Sequence, residues 1–184
     1  MAAEAEDLLR RIAQGDQSAL AEFYRAFEGQ VYRFVLSRLN DPFEASDIVN
    51  GVMMEVWRGA ARFQGRSKVS TWLLGIARHK IIDRQRKRHG KDMEELDETL
   101  VDESATDPAQ ALAAVEEAEI LRRCLEELSE AQREVVHLAF FEDLSYSEIA
   151  QIVERPEGTI KTRVFHAKRV LQDCVTRLMA GQGP

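Results

Sequence analysis

Apolar residues in this chain recur at intervals of three and four, and no stretch sustains the apolar–polar alternation with β-branched enrichment that a strand needs. That spacing places them on one face of successive helices and predicts an all-α fold. Leu8, Leu9 and Ile12 mark a short helix ending near Gly15. Asp16 then caps a longer one carrying Ala19, Leu20, Phe23, Phe27, Val31, Phe34 and Val35. Asp41, Pro42 and Glu44 make a start signal for a helix that buries Ala45, Ile48, Val49, Val52, Val56 and Ala60. After the polar loop 64–68, Ser70 or Thr71 is expected to open a helix with Trp72, Leu73, Ile76, Ala77 and Ile81. Four more helices are expected beyond residue 109, two of them announced by capping boxes, Ser129 with Gln132 and Ser145 with Glu148.

Charge divides the same chain. The whole sequence carries 25 basic and 32 acidic residues, a net of -7, which taken alone argues against nucleic-acid binding. The average hides a sharp boundary: residues 62–91 hold ten bases and one acid, Asp83, and residues 92–119 hold eleven acids and no base. The acidic stretch lacks helical periodicity as far as Pro108 and reads as a flexible linker. Domains are therefore placed at about 1–90 and 109–180, with the linker at 91–108.

Several classes are set aside. No apolar run approaches the roughly 18 residues of a membrane span. Met1 to Arg11 has no apolar signal core. Cys124 and Cys174 lie 50 positions apart without a CxxC partner and read as small reduced core residues, which suits a cytoplasmic protein. His79, His89, His137 and His166 are scattered, so no metal site is expected. No triad, P-loop or glycine-rich fingerprint points to catalysis or a cofactor.

Two motifs point to nucleic acid. Residues 144–153, a three-residue break and residues 158–164 have helix-turn-helix spacing, with Ile149, Ala150 and Val153 facing Ile160 and Val164. The second helix then turns Thr159, Lys161, Thr162, Arg163 and His166 outward, suited to phosphates and base edges. A plain surface helix fits the periodicity equally well. Residues 62–88 interleave Phe63 and Trp72 with cations, the combination that stacks bases and neutralises phosphates along a single strand. Spacing with Ile76 favours Trp72 as a core residue.

In order and spacing, Val31-Tyr32-Arg33-Phe34, Ala45-Ser46-Asp47-Ile48-Val49, Val56-Trp57, Ser70-Thr71-Trp72-Leu73-Leu74-Gly75-Ile76-Ala77-Arg78, Ile82-Asp83-Arg84, Leu128-Ser129-Glu130-Ala131-Gln132-Arg133-Glu134-Val135 and Gly158-Thr159-Ile160-Lys161-Thr162-Arg163 resemble a bacterial extracytoplasmic-function (ECF) sigma factor of the sigma-70 family. The resemblance implies two helical domains, regions 2 and 4, loosely tethered in water, and a non-enzymatic protein that directs core RNA polymerase to promoters. It implies docking on the polymerase β′ clamp through Ser46, Asp47, Asn50 and Glu55, with region 4 at the β flap. It implies −10 contacts by Phe63, Arg66, Ser67, Lys68, Arg78, Lys80 and Arg84. It implies −35 contacts by Arg155, Thr159, Lys161, Thr162, Arg163, His166 and Lys168. A cognate anti-sigma factor is a common partner in the family.

Three positions depart from the family pattern: Ser46 and Gly51 stand where Glu is common, and Glu154 where Gly often makes a left-handed turn. Two lost charges imply weaker docking, which phosphorylation of Ser46 by a Ser/Thr kinase would restore by adding about -1.5 to -2 charges. Glu154 implies a looser turn, or one that Arg155-Pro156 sets differently. A helix-turn-helix regulator that binds its operator without polymerase, and a Mg²⁺-dependent nuclease using Asp47 and Glu55, are the rival readings.

Overall fold

The computed structural model describes residues 2–89 and 118–180. The acidic linker placed at 91–108, and the expected helical start at 109, lie outside the described residues. Among those described there is no strand.

The first half is a four-helix unit. α1 (Ala2–Ala13) breaks at Gly15, whose φ of +85° suits glycine. α2 (Gln17–Leu39) starts where the Asp16 carboxylate accepts from the amides of Ser18 and Ala19. The Ser18 hydroxyl, those amides and Arg11 hold that carboxyl well below the usual range. Asn40 closes α2 in the left-handed conformation, and Asp41 caps α3 (Pro42–Gly59). A single 3₁₀ turn, Ala60–Arg62, follows. α4 (Val69–His89) begins before the expected Ser70 or Thr71. Val69 is buried and the Lys68 carbonyl already accepts from the Trp72 amide, so Thr71 is turned inward rather than used as a cap. Phe23, Phe34, Val35, Val52, Leu73, Leu74 and Ile81 are buried at the centre.

The second half contains α5 (118–126), α6 (Glu130–Val136), α7 (Tyr146–Val153) and α8 (Glu157–Ala180). Both expected capping boxes form, at Ser129 with Gln132 and Ser145 with Glu148. α6 runs into a π-helical turn, His137–Phe141, that periodicity did not foretell. It buries His137 and Leu138 while leaving Phe140 and Phe141 exposed.

Two expectations fail here. Cys124 and Cys174 are not separate reduced residues. They form a disulfide between α5 and α8, with Cα atoms 5.6 Å apart. Spacing along the chain says nothing about a pair brought together by helix packing, and Leu125 and Leu128 pack against Val170 and Leu171 beside it. Nor are the halves loosely tethered. α4 packs along α7, and a single apolar cluster runs from α1–α4 through Val135, Leu138, Ile149, Ile152 and Ile160.

Candidate nucleic-acid interface

The turn between α7 and α8 sets the direction of the recognition helix. Glu154 adopts φ +55°, ψ +47°, so the left-handed geometry is kept without glycine, and the expected looser turn is not what forms. The Glu154 and Arg155 amides donate to the Ala150 carbonyl, and the Pro156 carbonyl accepts from Thr159 and Ile160 to start α8. Ile160 and Val164 are buried against Ile149 and Val153. The opposite side presents Arg155, Lys161, Thr162, His166 and Lys168 to solvent, with Thr159 and Arg163 half-buried beside them. Two of these side chains have local partners. The Lys161 ammonium sits 2.8 Å from Glu157, which raises its pKa, and the Thr162 hydroxyl donates to the Gly158 carbonyl. Lys168 lies over the Phe140 ring, 5.1 Å from its centre. The sequence-derived −35 set therefore shares one helix, off its buried stripe, with the turn before it.

The −10 set does not. Phe63 and Trp72 pack with their rings tilted at 56°, centres 5.3 Å apart, both half-buried at the rim of the first core, and Arg66 and Ser67 stay in the loop beside them. Trp72 is thus neither a full core residue nor a free stacking platform. Arg84 reaches α3 instead, 3.1 Å from Glu44 and 3.9 Å from Asp47. Lys80 lies across α3 too: a Cβ at Gly51 would touch its stem at 3.5 Å. Arg78 and Lys68 turn to the second half. Arg78 Nε donates to Glu134 at 3.1 Å, and Lys68 Nζ is 2.9 Å from Glu148. Burial pushes the Glu148 carboxyl up, but donation from Lys68 and from the Ser145 hydroxyl and amide outweighs it and holds the pKa at about 2.

The polymerase-docking set lies on α3. Ser46, Asp47 and Asn50 are exposed along one stripe with Phe43 and Met54, and Glu55 is half-buried. The Ser46 hydroxyl donates to the Pro42 carbonyl at 3.0 Å, and the Tyr24 hydroxyl to Asn50. Phe43, 85% exposed, was missed by sequence reasoning, although an aromatic at the second position of an amphipathic helix, off its apolar stripe, was the available signal. No group of three or more metal-ligating side chains converges among the described residues. His79 and His137 each face a single carboxylate, Glu154 and Glu142.

Two family matches cover the two halves: Sigma-70 region 2 over residues 23–90 and Sigma-70, region 4 over residues 118–171. The ECF RNA polymerase sigma factor SigK of Mycobacterium tuberculosis is 30% identical over 178 residues, 95% of each chain. The chain belongs to the ECF sigma factors of RNA polymerase. SigK of Mycolicibacterium vanbaalenii is likewise 30% identical, over 94% of this chain and 90% of its own. Two solved structures share the fold. The sigma factor RpoE of Bartonella quintana, solved with the anti-sigma factor NepR, has a TM-score of 0.66 at 24% identity and covers 84% of this chain and 97% of its own. CnrH, solved with the cytosolic domain of CnrY, has a TM-score of 0.67 at 18% identity, over 98% and 99%. An ECF sigma factor is an initiation factor that brings core RNA polymerase to −10 and −35 promoter elements through regions 2 and 4. Among the described residues no helix is long and apolar enough to cross a membrane.

Proposed function

We propose that this sigma factor divides its work between three surfaces. The α3 stripe of Ser46, Asp47, Asn50 and Glu55 docks on the polymerase β′ clamp, and region 4 engages the β flap. Phe63, Arg66, Ser67 and Lys68, with Arg78, Lys80 and Arg84 of α4, handle the melted −10 strand. The exposed side of α8, from Arg155 through Thr159, Lys161, Thr162, Arg163 and His166 to Lys168, reads the −35 duplex. The observation that supports the reading is the α7–turn–α8 pair, whose left-handed turn at Glu154 leads into a helix with a donor-rich outer side, the arrangement a major groove admits.

We divide the chain at about 1–90, 91–108 and 109–180, and place it in the cytoplasm with its polymerase. An anti-sigma factor is a further partner, supported by the sigma factor RpoE of Bartonella quintana, which was solved with the anti-sigma factor NepR. Ser46 is a candidate for a Ser/Thr kinase, because its hydroxyl is exposed on a docking face lacking the family's acids at 46 and 51. Reconstitution with core polymerase and run-off transcription on genomic promoters tests the function. Initiation at discrete promoters is expected only with both proteins present. Operator binding by the free chain with no holoenzyme formation, with or without phosphorylation, would favour the independent regulator instead.

A further inference from the structure

The contact between the halves has a consistent chemistry. Among the described residues the ion pairs across it all end on glutamates of the second half. Glu134, nearly fully buried, accepts from Arg78 at 3.1 Å and lies 3.8 Å from Arg38, whose guanidinium also donates to the Glu130 carbonyl. The Glu130 carboxylate accepts from Gln85 at 2.9 Å, and Glu142 accepts from Gln30 at 2.7 Å. Glu148 holds Lys68 at 2.9 Å, and Glu154 faces His79 at 3.2 Å. The donors come from α2, the loop before α4, and α4 itself. Two of them, Lys68 and Arg78, belong to the surface assigned to the −10 strand.

We propose that region 4 carries on α6, α7 and the turns bordering them an intramolecular substitute for the phosphates of the −10 strand, so that the free protein closes on itself and withholds Lys68 and Arg78 from a single strand. This deepens the −10 assignment above and rests on it. Carboxylates set against Arg and Lys satisfy the same donors a phosphate chain would, and they are tethered, so a strand must displace them. The closure is selective. The −35 side of α8 stays exposed, so the closed chain withholds part of one promoter surface and leaves the other available.

Apparent affinity for a single strand then scales with the open fraction. The test uses the full chain, small-angle X-ray scattering and fluorescence anisotropy with a labelled twenty-nucleotide oligo-dT probe at low salt. Glu134→Arg sets a third cation against Arg38 and Arg78. It is expected to expand the particle and to bind the probe about threefold tighter or better than the charge control Glu28→Arg, on the exposed side of α2. The swap Arg38→Glu with Glu134→Arg keeps two cations and one anion at the junction and is expected to return both readouts toward the parent. Glu134→Arg remaining as compact as the parent, or expanding with no gain over Glu28→Arg, overturns the proposal. If Glu134→Arg loses helical circular dichroism, Glu148→Gln is read by the same criteria against the charge-matched control Glu28→Gln, since glutamine preserves the capping box while removing the charge against Lys68. Run-off transcription by the parent reports separately: its failure would remove the sigma assignment, while the scattering and probe results judge the closure alone.

Discussion

The Cys124–Cys174 bridge makes a measurable demand on stability. It closes a loop with a sequence separation of 50. In the chain-entropy description such a loop restricts the unfolded ensemble by about 4 kcal/mol at 25 °C, and native bridges commonly realise about 2–4 kcal/mol. Most of that should fall on the second half, because the bridge fastens α5 to α8 beside only a small apolar cluster of Leu128, Val136 and Ala167. The double variant Cys124→Ser/Cys174→Ser is the cleaner perturbation, since it leaves no thiol to mispair. Denaturant unfolding without reductant should show the variant less stable by about 2–4 kcal/mol. Native-state hydrogen exchange should lose protection in residues 118–126 first, with α1–α4 amides little changed. A loss below about 0.5 kcal/mol, well under the usual effect of removing a native bridge, would refute the reasoning. So would two titratable thiols in unreduced, denatured parent protein.

The other predictions are smaller. Glu154→Gly should stabilise the chain by about 0.5–1 kcal/mol in denaturant unfolding, because relief of left-handed strain exceeds the added chain entropy and the loss of an exposed contact to His79; Glu154→Ala should not. The Glu148 carboxyl is held at about 2, below its ordinary 4.5, so its contribution is complete above about pH 4.5 and is lost as pH falls toward 2. The stability gap between parent and Glu148→Gln should therefore shrink steadily on acidification. Arg163→Ala should weaken −35 duplex recognition by holoenzyme by about 1–3 kcal/mol if it contacts a base, read as a change in sequence preference rather than a uniform loss.

The helices were legible because each rests on local signals. Asp16, Asp41, Ser129 and Ser145 announce starts, and the apolar stripe predicts which side is buried. The α8 surface was legible for the same reason, since periodicity alone decides what faces away from Ile160 and Val164. What stayed hidden was long-range. The bridge joins two helices that no spacing rule connects, and the partners of Lys68, Arg78, Lys80 and Arg84 lie between 29 and 80 positions away. The π-helical turn at His137–Phe141 was missed because an inserted residue breaks the period on which the reading depended.

The basic block from Arg62 onward looks in sequence like one rod of cations, yet it is three strips in space. Lys80, Arg84 and Arg88 lean on α3, and Lys68 and Arg78 on the second half; Lys80, lying against Gly51, joins Arg62, Arg66, Arg86 and Lys87 in having no carboxylate partner among the described residues. Ions already neutralised by protein acids release no counterions when DNA arrives. A single strand meeting the closed chain at those five would give a log–log salt slope of about -3.5, and recruiting Lys68 and Arg78 would steepen it to about -5, short of the slope of about -7 that the sequence's ten bases suggest. Salt titration therefore counts how many of the helix's charges belong to the promoter and how many belong to the protein itself.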